Sequence, residues 1–184
     1  MKLKTLTAAL MSFMLIGCGT QSHIISNKDQ TFNRPIERIY VISDVGLEFT
    51  PEFGKAFGSK LKTILKDCRI EIELRTRSRL ALDADNTYRA EMKEFNADSV
   101  LMVYHAGGVG SAAFISAMTY DVRFVDLSAN RMVYRSLATF QREGVLWKSM
   151  EQQGFTFAID LTNKMKEDRL ITGCQAIVET LKNK

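Results

Sequence analysis

The chain is poor in the residues that build metal centres and acid–base machinery. Of 184 residues, two are histidine, His23 and His105, and three are cysteine, Cys18, Cys68 and Cys174. Their spacing matches no zinc motif, and any nucleophile has few imidazoles to serve as its base. Proline is scarce, and no low-complexity tract or internal repeat occurs, which excludes fibrous and solenoid architectures. The apolar run from Leu6 to Ile16 falls short of the roughly 20 residues that span a bilayer. What remains is a length that suits one domain, large enough to bury a core without help from metals or disulfides.

The amino-terminal stretch is ordered as an export signal. Lys2 and Lys4 form a short positive end, Leu6 to Ile16 is apolar, and small Gly17 precedes Cys18. Leu15-Ile16-Gly17-Cys18 resembles the lipobox of bacterial lipoprotein precursors. An ordinary signal peptide carries small residues at both the third and the first position before cleavage, whereas Leu15 occupies the third. The resemblance implies removal of residues 1–17 and lipidation of Cys18, whose acyl chains become the link to the membrane. Gly19 in place of Asp implies sorting to the outer membrane, with the domain in the periplasm. Loss of Lys2 and Lys4 lowers the net charge from +4 to +2. A near-neutral domain remains, and neither a nucleic-acid partner nor a cofactor is expected.

With Cys18 committed to lipid, Cys68 and Cys174 remain. An oxidising periplasm favours their pairing, and the alternative is two buried free thiols.

Residues 18–35 are polar and aperiodic, and are expected to form a tether between the lipid and a single globular domain at 36–184. Arg38 to Ser43 holds a compact β-branched run that reads as a buried strand. Thr50-Pro51-Glu52 then opens a helix with an apolar stripe at Phe53, Phe57, Leu61, Ile64 and Leu65. Lys55, Lys62 and Lys66 lie opposite, and Gly54 and Gly58 beside the stripe suggest close approach to a sheet. From Ile70 to Leu80 the residues alternate. Ile70, Ile72 and Leu74 share one face, and Glu71, Glu73, Arg75, Arg77 and Arg79 share the other. A second helix carries Tyr88, Met92 and Phe95 inward, and Val100 to Tyr104 reads as a central strand. His105 to Ser111 forms a glycine-rich loop that lacks the context of a phosphate cradle, because it leads into a strand. That strand places Phe114, Met118, Tyr120, Val122 and Phe124 on one side. A hairpin at 128–131 returns as Met132 to Phe140, with Val133, Tyr134, Leu137 and Phe140 as its apolar pattern. Ser149 with Gln152 resembles a capping box before a last long helix, and 175–181 suits a short terminal one.

This order predicts an α/β fold with a single mixed sheet, its parallel β-α-β-α-β part followed by an antiparallel meander, covered by helices. The order, the lipobox and the hairpin are similar to periplasmic lipoproteins related to the TolB amino-terminal domain, to curli-secretion lipoproteins and to penicillin-binding-protein activators.

Catalytic candidates are thin. His105 beside Ser111 lacks a nucleophile elbow, and Glu71 and Glu73 share their face with arginines, as a solvated ion-pair surface does. The reading is a non-catalytic interaction or assembly module with an envelope protein partner. The alternative is a binder of an anionic glycan or lipid headgroup. Arg75, Arg77 and Arg79, about 6 to 7 Å apart along a strand, form the candidate partner-binding comb. Neutralisation of that comb by Glu71, Glu73, Asp83 or Asp85 is the competing account.

Overall fold

A computed structural model describes residues 21–47, 51–77, 82–111, 114–141 and 149–174. Six strands and three helices follow one another as β1 (Gln21–Lys28), β2 (Arg38–Ser43), α1 (Pro51–Asp67), β3 (Glu71–Thr76), α2 (Ala84–Glu94), β4 (Ser99–Ser111), β5 (Phe114–Asp126), β6 (Arg131–Gln141) and α3 (Met150–Glu167). The strands make one sheet in the order β1-β6-β5-β4-β2-β3. β2 lies parallel to both β3 and β4, and the β4-β5-β6-β1 part is antiparallel. The fold is the expected α/β mixed sheet.

The stretch expected to be a tether is corrected. Residues 21–28 form β1, an edge strand paired along its whole length with β6. Its own apolar content is only Ile24 and Ile25, so the ladder bonds offered by β6, rather than local propensity, hold it. Ser26 also donates to Asp168 at the end of α3, at 2.6 Å.

One face of the sheet is fully covered. Phe53, Phe57, Leu61, Ile64 and Leu65 of α1 are buried as the stripe predicted, together with Phe157, Ala158, Leu161 and Met165 of α3. The two helices touch at backbone distance. A Cβ on Gly154 would lie 2.4 Å from the Phe53 carbonyl oxygen, so only glycine permits this crossing. Gly58 does approach the sheet, at Leu74, but Gly54 lies against the Val45 carbonyl in the turn after β2. Ser149 and Gln152 form the expected capping box, each side chain accepting from the other's backbone N–H. Thr50 and the segment 175–181 lie outside the described residues.

Among the described residues, the other face is covered by α2 alone, over part of its width. Tyr88, Met92 and Phe95 pack on Tyr40, Ile42 and Val100. Tyr40 donates to Glu91, which also accepts from Arg75, and this joins α2 to β2 and β3.

Two strand expectations change for one reason, namely that a strand extends as far as its partner does. β3 stops at Thr76 rather than Leu80, because β2 ends at Ser43 and the Arg77 amide makes the last bond to it. Conversely, the glycine-rich stretch expected as a loop is part of β4, drawn into a ladder with the equally long β5. Ala106 has no opposite residue, and Gly107 at φ +155° carries the chain past that bulge.

The crossing from β1 to β2 is clasped by ions. Arg34 donates to the Asp98 carbonyl at 2.7 Å and to Asp126 at 2.8 Å, and the Asp98 carboxylate accepts from the Glu37 and Arg38 amides. Burial pushes the Asp126 carboxyl up. Arg34, the Ser128 hydroxyl and the Ser128 and Ala129 amides outweigh burial and hold it down to about 2. A folded-state value below the unfolded one near ~3.9 contributes stability above that pH and loses it as pH falls toward 2, here about 2 kcal/mol. Asp126→Asn is therefore expected to flatten the acid limb of a urea-midpoint titration between pH 5 and pH 2 by about that amount. An acid limb identical to the wild type's would remove Asp126 from the account.

Candidate interaction surface

Cys18 lies outside the described residues. Cys68, buried at the end of α1, is joined in a disulfide to Cys174, which follows α3.

The arginine comb does not form as an unpaired row. Arg75 lies 2.9 Å from Glu91 and 3.3 Å from Glu73, so its charge is met on both sides. Arg77 leaves the strand, stacks 4.7 Å over the Tyr104 ring and faces Asp44 at 4.0 Å. Arg79 lies outside the described residues. For Arg75 and Arg77, neutralisation within the domain prevails, with Asp44 and Glu91 as partners that strand parity alone did not name. Glu71 is likewise paired, with Arg38 at 3.1 Å.

His105 and Ser111 are not brought together. Both lie on β4, and six residues of strand separate them by about 20 Å. The His105 backbone donates to the buried Asp44 carboxylate at 2.6 Å, and its ring meets Tyr120 edge-on. Burial, with Asp44 behind it, pushes the Tyr120 phenol up. This cluster closes the carboxyl ends of the parallel strands, where α/β sheets often hold ligands, with packed rings and a backbone-bound acid. A groove of about 380 Å³ lies between β1 and α3, lined by Ser22, His23, Ile24, Asp160, Asn163, Lys164 and Glu167. Lys164 is paired with Asp168 at 3.0 Å and with Glu167, so the groove lacks the surplus of cations that an anionic ligand needs.

The surface left over is the half-sheet that α2 does not reach. Ladder register sets it out as three rows across β1, β6 and β5: His23, Thr139 and Thr119; Ile25, Leu137 and Asp121; Asn27, Arg135 and Arg123. Ile25 is 55% and Leu137 39% exposed, and they are cross-strand neighbours at the centre of the patch. Asp121 accepts from Arg123 at 2.6 Å and from Arg135 at 3.0 Å. Burial raises its carboxyl, and the two guanidinium groups together bring it below the usual range. The expectation that Leu137 belongs to the inward pattern is corrected. Val133 is the extra residue of a bulge opposite Phe124 and Val125, so Ser136 and Ala138 turn inward and Leu137 outward. The alternation of Asp121 with Arg123 opposite Arg135 across a short hairpin was the available signal for this surface.

What these features define is a mixed-sheet α/β domain with one closed and one half-open face. No protein-family model matches the chain, and no curated protein matches it. Solved structures do. The PelC dodecamer from Paraburkholderia phytofirmans is 15% identical, with a TM-score of 0.50 over 77% of this chain and 96% of that one. A substituted form of the same dodecamer is 14% identical, with a TM-score of 0.52 over the same shares. At that identity the likeness is one of fold.

Proposed function

We propose that the chain is a lipid-anchored, non-catalytic module of the bacterial cell envelope, held at the outer membrane through Cys18. It works in the periplasm by binding protein through the bare half of its sheet. The lipobox and Gly19 support the address, since two or three acyl chains hold a protein stably where one is marginal. Among the described residues, no helix is long and apolar enough to cross a membrane.

The observation that carries the binding role is the Ile25–Leu137 pair. Two large apolar side chains stand side by side on a part of the sheet that no other described residue covers, rimmed by a part-neutralised arginine pair. Apolar centres with polar rims are the anatomy of protein interfaces. β1 adds a sheet edge, a ready template for another strand. Because the structures of like fold are dodecamers, a second copy is the first partner to test.

Crosslinking in intact cells is expected to yield multimers of the wild-type chain and to lose them for Ile25→Ser with Leu137→Ser. That variant should remain folded, because a cross-strand pair contributes no more than about 1 kcal/mol. Multimers unchanged in the double variant would sink the assignment of this face.

A further inference from the structure

The two edges of the sheet differ in their defences against a further strand. β3 carries Glu71, Glu73 and Arg75 among its six residues, and charges of that density discourage pairing. β1 has eight residues, no proline, an unbroken register with β6 and a single charge, Lys28, at its last position. Its free backbone groups follow from one bond. The Asp29 amide donates to the Val133 carbonyl at 2.9 Å, and that pair continues the register of β1 on β6. Opposed residues in an antiparallel ladder alternate between bonded and unbonded pairs. The odd-numbered residues of β1 therefore direct their N–H and C=O groups to β6. Those of Ser22, Ile24, Ser26 and Lys28 point to the other edge, where no strand lies among the described residues.

A two-fold axis normal to the sheet sets two copies of β1 antiparallel, with even residues bonded to even residues. With the axis at Ile25, Ile24 bonds Ser26 of the other copy, Ser22 bonds Lys28, and each residue from 22 to 28 finds a counterpart. On the open face Ile25 then meets its own copy and His23 meets Asn27. Leu137 flanks Ile25 on β6, so Leu137 and Ile25 of each copy form one apolar row across the joint. A shift of two residues either way would set Ile25 against His23 or Asn27 and break that row. We propose that two copies of the chain join through β1 in the Ile25-centred register, as one continuous sheet. This rests on the protein-binding reading above and names the partner and the contact. Lys28 meets a serine, so no charge faces a like charge. The Gln30 side chain, which donates to the Lys28 carbonyl at 3.2 Å, gives up that acceptor to the Ser22 amide of the other copy.

The test uses single cysteines in the full-length chain, oxidised in intact cells. Ile25→Cys lies on the axis in an unbonded pair, whose Cα atoms stand about 4.5 Å apart, within disulfide range. Its covalent dimer is expected at a yield at least about tenfold above that of His23→Cys or Asn27→Cys alone, whose own copies stand about 14 Å apart. Chains carrying His23→Cys and Asn27→Cys, made together, should link to each other. Ile24→Pro removes an N–H of the free edge and no bond to β6, and Ile25→Lys sets two like charges face to face. Each should abolish the 23–27 link, and Ile25 is exposed enough for the lysine to leave the fold intact. Equal yields from the three single cysteines, or a 23–27 link that survives Ile25→Lys, overturn the register. Wild-type multimers with none of these links overturn the edge pairing and leave the open-face reading standing. No multimers of the wild type at all overturns both.

Discussion

Replacing both Cys68 and Cys174 by alanine is expected to lower the stability of the domain by about 4–5 kcal/mol. The disulfide closes a loop of sequence separation 106, and the chain-entropy account assigns about 4.7 kcal/mol to a loop of that length. Domains are stable by only about 5–15 kcal/mol, so the variant retains a fraction of the whole. Position reinforces the effect of length. Cys68 ends α1 and Cys174 follows α3, with Leu170 and Ile171 buried just before it. The bond thus ties together the two helices that cover the closed face, at the end far from β1's first residue. Urea denaturation of the oxidised wild type and of the double variant measures the difference. The slope of free energy against denaturant should rise in the variant, because its unfolded chain is more open. A change below about 1 kcal/mol would mean that the unfolded chain stays compact without the bond, and the entropic account would fail.

Local pattern made the closed face legible in the sequence. The β2 run, the α1 stripe, the Ser149 capping box and the inward residues Met118, Tyr120, Val122 and Phe124 of β5 each depend on spacing within one element, and each stands where the spacing put it. What escaped depends on pairing. β1 has polar residues at most positions and is a strand because β6 lies beside it. The comb had the right parity at Arg75, but β3 ends with its partner β2 at Thr76, so Arg77 already leaves the row. Leu137 was placed inward because it shares the parity of Val133, but Val133 is a bulge residue and the inward face runs on through Tyr134, Ser136, Ala138 and Phe140. The candidate surface is made almost wholly of such errors. It is built on an unforeseen strand and a reversed face, and its charge network joins residues on different strands.

Phe157→Ala is expected to cost about 3–5 kcal/mol, toward the upper part of the range for a buried phenylalanine. Phe157 has no exposed surface, and its ring lies 5.0 Å from Tyr120, 5.2 Å from Phe57, 6.2 Å from Phe53 and 6.4 Å from Phe140. Removal therefore breaks several aromatic contacts at once, each contributing about 0.5–1.5 kcal/mol beyond buried area. The size of the loss also depends on how far the cavity collapses. Here collapse is blocked on the side where relaxation is usually easiest. α1 and α3 already meet at the distance of Gly154 from the Phe53 carbonyl, so the helices have no room to close over the gap. Phe157→Leu, which refills most of the volume, should recover more than half of the loss. The consequence reaches the open face, because α3 is the helix that packs behind β1 and β6. Hydrogen exchange in the alanine variant should speed up along β1 and β6, around Ile25 and Leu137, more than along β2 and β3. A loss below about 2 kcal/mol, or faster exchange confined to α3, would show that the closed face does not hold the half-sheet in place.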